Sequence, residues 1–103
     1  MKWQDAQMSK RNELAGFELS VSGRGDGTIE AAYVYLSKKK VARTKEIVED
    51  ALLADYDAKG QLIGIEILAP INITRIARLV EQPQRAPFLR FLRHSAPQEL
   101  VHV

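Results

Sequence analysis

An α+β fold, with an antiparallel β-meander of about five strands followed by one or two helices, is what this sequence of 103 residues predicts. Three observations carry the prediction. From Phe17 apolar residues alternate with polar ones at a period of two. The tetrad Asp57-Ala58-Lys59-Gly60 separates two apolar runs as a hairpin loop does. After Pro70 the apolar spacing changes to that of a helix.

Each element follows from its residues. Phe17, Leu19 and Val21 alternate with Glu18, Ser20 and Ser22 in a first strand that stops at Gly23-Arg24-Gly25-Asp26-Gly27. Residues 28–37, TIEAAYVYLS, are rich in the aromatic and β-branched side chains of strands. Lys38-Lys39-Lys40 reads as a turn into a third strand, Val41 to Val48, so that the second and third strands form a hairpin. A fourth strand, Ala51 to Asp57, and a fifth, Gln61 to Leu68, meet through a three-residue loop in which Gly60 supplies a positive φ. That register sets Asp57 opposite Gln61, Asp55 opposite Ile63 and Glu66 opposite Leu52, and so predicts that Asp55 and Glu66 point to opposite faces. Asn72 is a plausible N-cap for a helix carrying Ile73, Ile76, Ala77 and Val80 on one face. Pro83 and Pro87 in QPQRAP read as its end, with Phe88, Leu89, Phe91 and Leu92 forming a second, short helical turn.

Composition bounds the chain to one domain. With 46% hydrophobic and 27% charged residues it reads as soluble and globular, and a core at this length buries roughly two thirds of the unfolded surface. The expected division is a loosely ordered leader at 1–13, a single α+β domain at 14–82 and a C-terminal docking arm at 83–103. The net charge of +2 is too small to steer the chain toward nucleic acid or membrane. No cysteine is present, which excludes disulfides, thiolate zinc sites and cysteine nucleophiles. The N-terminus lacks a signal-peptide pattern, and the longest apolar run, Ala31 to Leu36, is too short to span a bilayer. A cytoplasmic address without membrane contact is the expectation.

Between Thr28 and Leu68 the residues Ala31-Ala32-Tyr33-Val34-Tyr35-Leu36-Ser37, Asp55-Tyr56-Asp57-Ala58-Lys59-Gly60 and Gly64-Ile65-Glu66-Ile67-Leu68 occur in this order and spacing. In them the chain resembles a family of small prokaryotic proteins known as domain of unknown function 2283. The resemblance implies a compact antiparallel meander with a helix after it, and implies no activity and no catalytic residue. The chain departs from the family in its three lysines, where an Asp-Gly type turn is usual, and in extending past the usual end with residues 82–103.

Candidate sites are few. Asp55, Asp57, Gly60 and Glu66 match positions one, three, six and twelve of an EF-hand loop. Lys59 stands where the fifth ligand is needed and the flanks read as strands, so no metal is expected. The Gly23–Gly27 loop lacks the Lys-Ser/Thr of a phosphate loop. His94 and His102 read as tail residues, and no catalytic residue or cofactor is assigned. Lys38, Lys39, Lys40, Arg43 and Lys45, with Tyr33 and Tyr35 on the neighbouring strand, would make a nucleic-acid stacking surface if the register joined them. A solvated edge whose lysines discourage strand addition is the preferred reading.

The function expected is that of a small non-enzymatic protein-interaction module, with nucleic-acid binding as the alternative and a small enzyme of unidentified chemistry as the second. A homodimer is expected because the strands read as apolar on both faces. Tyr33 and Tyr35 alternate with Ala32 and Val34, and Leu53, Ile65 and Ile67 are placed opposite Leu52, Tyr56 and Leu62. One helix covers one face, and a second copy would cover the other. Phe88, Leu89, Arg90, Phe91, Leu92 and Arg93 are the expected contacts of a docking arm outside the meander's core, and they would pack on its own sheet, on a second copy of the chain or on a second protein in an antitoxin-like or regulatory pairing.

Overall fold

In the computed structural model, which describes residues 16–103, the period-two segments become β1 (Glu18–Gly23), β2 (Ile29–Tyr35), β3 (Arg43–Val48), β4 (Leu52–Tyr56) and β5 (Leu62–Ile67). All five lie in one sheet whose pairs are antiparallel. The α+β class is as predicted. The expected leader, residues 1–13, lies outside the described residues.

The strand order is β1-β2-β5-β4-β3, which corrects one expected pairing. β2 and β3 do not form a hairpin: β2 lies between β1 and β5, and β3 pairs with β4. The lysine turn is the start of a crossing connection from the middle of the sheet to its far edge, as in a Greek key. The physical reason lies in burial. Val34 meets Ile65 and Ala32 meets Ile67 in the centre, and all four are buried. β3 is mostly exposed and charged, which suits an edge that must not recruit another strand.

Helices cover one face. Asn72 caps α1 (Ile73–Ala77), its side-chain oxygen accepting from the Thr74 N–H at 2.9 Å. α2 runs from Gln82 to Ser95, and a parallel pair of short strands, β6 (Ile71–Asn72) and β7 (Val101–His102), ties the end of the chain back beside α1. The last carbonyls of α1 accept from the N–H groups of Arg78, Leu79 and Val80, and Arg85 on α2 donates to the carbonyls of Val80, at 3.1 Å, and Arg78 in the turn that follows.

The docking arm is corrected here. Its apolar cluster packs on its own sheet, with Phe88 and Leu92 at 0% and 1% exposure and part of the one core that also holds Leu19, Val34, Leu52 and Ile65. Phe88 meets Phe17 edge-on with ring centroids 5.0 Å apart. Pro83 opens the helix instead of breaking it, because the first-turn N–H groups have no helical partner to lose. Pro87 forfeits one bond on a side that faces water, and the 14 residues then align Phe88 with Leu92, one turn apart, toward the sheet. Leu89 and Phe91 flank this stripe, partly buried, while Arg90 and Arg93 remain exposed.

Candidate functional site

The face of the sheet turned away from the helices takes its character from one irregularity. Tyr56 pairs with Leu62, but Asp55 pairs with Gly64, so Ile63 is an extra residue on β5. Beyond this bulge the alternation is one residue out of phase with a simple hairpin. Ile65 and Ile67 enter the core, while Gly64 and Glu66 share the outer face with Asp55 and Leu53. The expected divergence of Asp55 and Glu66 is therefore corrected, and so is the grouping of Leu53 with Ile65 and Ile67.

On this face Tyr33 reaches over the bare backbone of Gly64. A Cβ there would lie 1.8 Å from the phenol oxygen, so only glycine leaves room. The Tyr33 hydroxyl donates to Asp55 Oδ2 at 2.5 Å, and Thr44 on β3 donates to Asp55 Oδ1 at 2.6 Å. One carboxylate thus joins side chains from β2, β4 and β3. Burial, the hydrogen bond to Asp55 and the negative charge beside it raise the Tyr33 pKa well above that of an ordinary phenol. At neutral pH Tyr33 is a fixed donor, neither base nor nucleophile.

Tyr35 stands edge-on to Tyr33, centroids 4.6 Å apart, and is 41% exposed. Beside the pair lies an open hollow of about 280 Å³ walled by Ile63, Val41, Ser37, Glu18, Lys38 and Lys39. The structure divides the expected basic cluster. Lys38 and Lys39 border the tyrosines. Thr44 bonds Asp55 on the outer face, so Arg43 and Lys45, its neighbours on β3, project to the other side, where the Arg43 guanidinium lies 5.6 Å from the Tyr56 ring. The stacking platform that needed all five cations beside both tyrosines is not assembled.

The EF-hand match resolves into a hairpin. Asp57 Oδ1 accepts from the N–H groups of Lys59 and Gln61, each at 2.9 Å, and Gly60 takes the positive φ of 83° that closes the loop. These bonds, that from Gln61 foremost, hold the Asp57 carboxyl below the usual range, and the charges of Lys39 and Lys59 act in the same direction. A depressed pKa contributes stability above the unfolded value and loses it as pH falls through the folded one. Wild type is therefore expected to lose stability below about pH 4, and Asp57→Asn, which keeps the acceptor but cannot titrate, to lose less. Urea midpoints at pH 6 and pH 3 check this; equal losses would refute it. His94 bonds the Arg90 carbonyl of its own helix at 2.9 Å. Among the described residues no group of three or more His, Asp or Glu is placed to hold a metal ion, and no helix is long and apolar enough to cross a membrane.

The signal for this face was present in the sequence as Gly64 within an apolar run, a mark of a bulge or a close approach. Fold and face together define an α+β protein with an antiparallel sheet, helix-covered on one side and aromatic and carboxylate-bearing on the other. Residues 26–69, which hold β2 through β5, match the family described as protein of unknown function (DUF2283), and the resemblance carried by residues 28–68 is thereby confirmed. No curated protein and no solved structure matches the chain.

Proposed function

We infer that the chain is a non-enzymatic protein-interaction module working through the outer face of its sheet, in a prokaryotic cytoplasm. The observation that carries this reading is the Tyr33–Tyr35 pair, held over Gly64 by Asp55 before any partner arrives. An aromatic anchor already fixed in place avoids much of the ordering entropy of binding, and tyrosine is among the residues enriched where proteins meet. Acid–base chemistry is disfavoured because both Asp55 oxygens accept hydroxyl donors and Tyr33 is held as a phenol. Against the nucleic-acid alternative stands the separation of Arg43 and Lys45 from the tyrosines.

Affinity capture from the native cell tests the reading with wild type and Tyr35→Ala side by side. Tyr35 is exposed, so the variant keeps the fold. Proteins retained by wild type and lost from the variant are the expected result. Identical retention by both would remove the outer face from the function.

A further inference from the structure

The two sides of the molecule differ in charge. Arg75 and Arg78 at α1 and Arg90 and Arg93 on α2 are exposed and lie opposite the residues that each helix buries, so all four point away from the sheet. The helices run past each other in opposite directions. Arg85, early in α2, reaches the Arg78 carbonyl just past α1, and β7, beyond α2, pairs with β6, before α1. Packed helices have axes about 8–10 Å apart, which makes the four guanidinium groups neighbours on one surface. Arg43 and Lys45 project from β3 to the same side of the sheet. The carboxylates of the helical region, Glu81 and Glu99, stand before and after α2 and not among the arginines. Among the described residues none of the four guanidinium groups is in an ion pair. The outer face of the sheet holds Glu18, Glu46, Asp55 and Glu66 instead, with Lys38 and Lys39 at its rim and Lys39 paired to Asp57. A net charge of +2 averages over these unlike sides and understates the field above the helices.

We propose that the helix layer binds the phosphate backbone of a nucleic acid through Arg75, Arg78, Arg90 and Arg93. Two observations choose this occupant. Every Lys-or-Arg position after Lys59 is arginine, whereas the sheet region uses lysine at 38–40, 45 and 59. A cation placed for solubility, or to offset a helix dipole, would serve equally as lysine, but the planar guanidinium fork meets a phosphate with two bonds at once. The second observation is an absence of apolar surface: the exposed large hydrophobic residues of the described chain, Val21, Tyr35, Val41, Leu68 and Val103, all lie off both helices. A protein partner needs an apolar or aromatic centre to its interface, and a helix lying in a membrane needs an apolar face toward lipid. A phosphate backbone is held by charge without either. The site uses neither tyrosine nor the lysine turn, so it differs from the stacking platform considered for Lys38–Lys45, and it does not depend on what the outer face binds. Contacts to phosphates carry no sequence information, so binding is expected on any sequence.

The test titrates the full chain into labelled oligomers of about 20 nucleotides, one a DNA duplex and one a single-stranded RNA, and reads fluorescence anisotropy. Wild type is expected to bind in the micromolar range at about 50 mM salt and to lose about a hundredfold on the duplex by about 200 mM, the slope of about four phosphate contacts. Arg75→Gln/Arg78→Gln and Arg90→Gln/Arg93→Gln should each weaken binding about tenfold or more at low salt and roughly halve that slope. Lys38→Gln/Lys40→Gln removes as much charge from the lysine turn and should change affinity less than about threefold. Circular dichroism checks each fold. Should a double variant not fold, the single changes Arg75→Gln and Arg90→Gln replace it, each lowering the slope by about one. Binding to both oligomers, or to either alone, with loss in the arginine variants supports the proposal and tells which strand form fits. A wild type that leaves both oligomers free at low salt overturns it, as do arginine variants that bind like wild type or a lysine-turn variant that loses as much as they do. Equally tight binding to poly-glutamate or to phosphatidylcholine–phosphatidylserine vesicles overturns it in favour of an acidic protein or a membrane. Tyr35-dependent capture of proteins reads the opposite face, so either reading can fail without the other.

Discussion

A chain ending at Gln82 is expected to be unfolded. Removing residues 83–103 takes away Phe88, Leu92, Leu100 and Val101, all buried in the core. It also removes β7, the partner of β6, and the Arg85 bonds to the turn that follows α1. Ala32, Val34, Ile65 and Ile67 would lose part of their cover, and a sheet with an uncovered apolar face does not hold itself together in water. A single substitution should show the same dependence. Phe88→Ala empties a site with no exposed surface and removes the edge-on contact to Phe17. Such a change costs about 3–5 kcal/mol, a large share of the roughly 5–15 kcal/mol that holds a domain folded. Urea unfolding followed by circular dichroism measures both. A truncated chain that still unfolded cooperatively would return this segment to the role of a docking arm.

Gly64→Ala is expected to destabilise, although replacing glycine in a strand ordinarily helps by about 0.4–1 kcal/mol through the unfolded chain. The new Cβ would meet the phenol oxygen and two ring carbons of Tyr33, all under 3.0 Å. The ring must swing away and give up Asp55. A hydrogen bond to a charged group is worth about 1.5–3 kcal/mol, and partial exposure reduces this to a net loss of about 1–2 kcal/mol. The effect should vanish when Tyr33 is first cut back to alanine, because the two changes act through one contact. Alkaline titration probes the same contact. The Tyr33 pKa is raised on folding, so its contribution is complete below the unfolded value near pH 10 and is lost as pH rises through the folded one. Tyr33→Phe should flatten that loss. If Gly64→Ala destabilised equally with and without the Tyr33 ring, the contact would not be the cause.

What the sequence made legible was the existence of elements. The alternation of Leu19 and Val21, the Asp57–Gly60 loop and the Asn72 cap each depend on neighbours a few residues away, and each is where it was expected. Partnership was not legible. Whether Val34 sits beside β3 or Ile65 is decided by which pairing buries most, a comparison across the whole chain. The face of Glu66 depended on one inserted residue, and with period-two geometry a single insertion reverses every side chain after it. The candidate site was hidden for that reason: Tyr33, Asp55 and Thr44 come from three strands, and their meeting needs both the strand order and the bulge. Pro83 misled because proline suits the first turn of a helix, and Pro87 because the helix carries it in its interior, on an exposed side, at the loss of one bond.

The position of β2 also sets an order of events during synthesis. The β1–β2 hairpin is complete once Tyr35 has been made, yet its neighbour across the sheet, β5, ends only at Ile67. At the roughly 5–20 residues per second of a translating ribosome, the hairpin waits some seconds with Ala32 and Val34 uncovered. β3, β4 and β5 can zip together as they emerge, being consecutive and hairpin-linked. The growing chain therefore has two strand-forming segments, each with an apolar side that nothing yet covers and neither stable alone, until they join along the β2–β5 seam. Anything that slows that fusion lengthens the interval in which one unfinished chain can be capped by the strands of another.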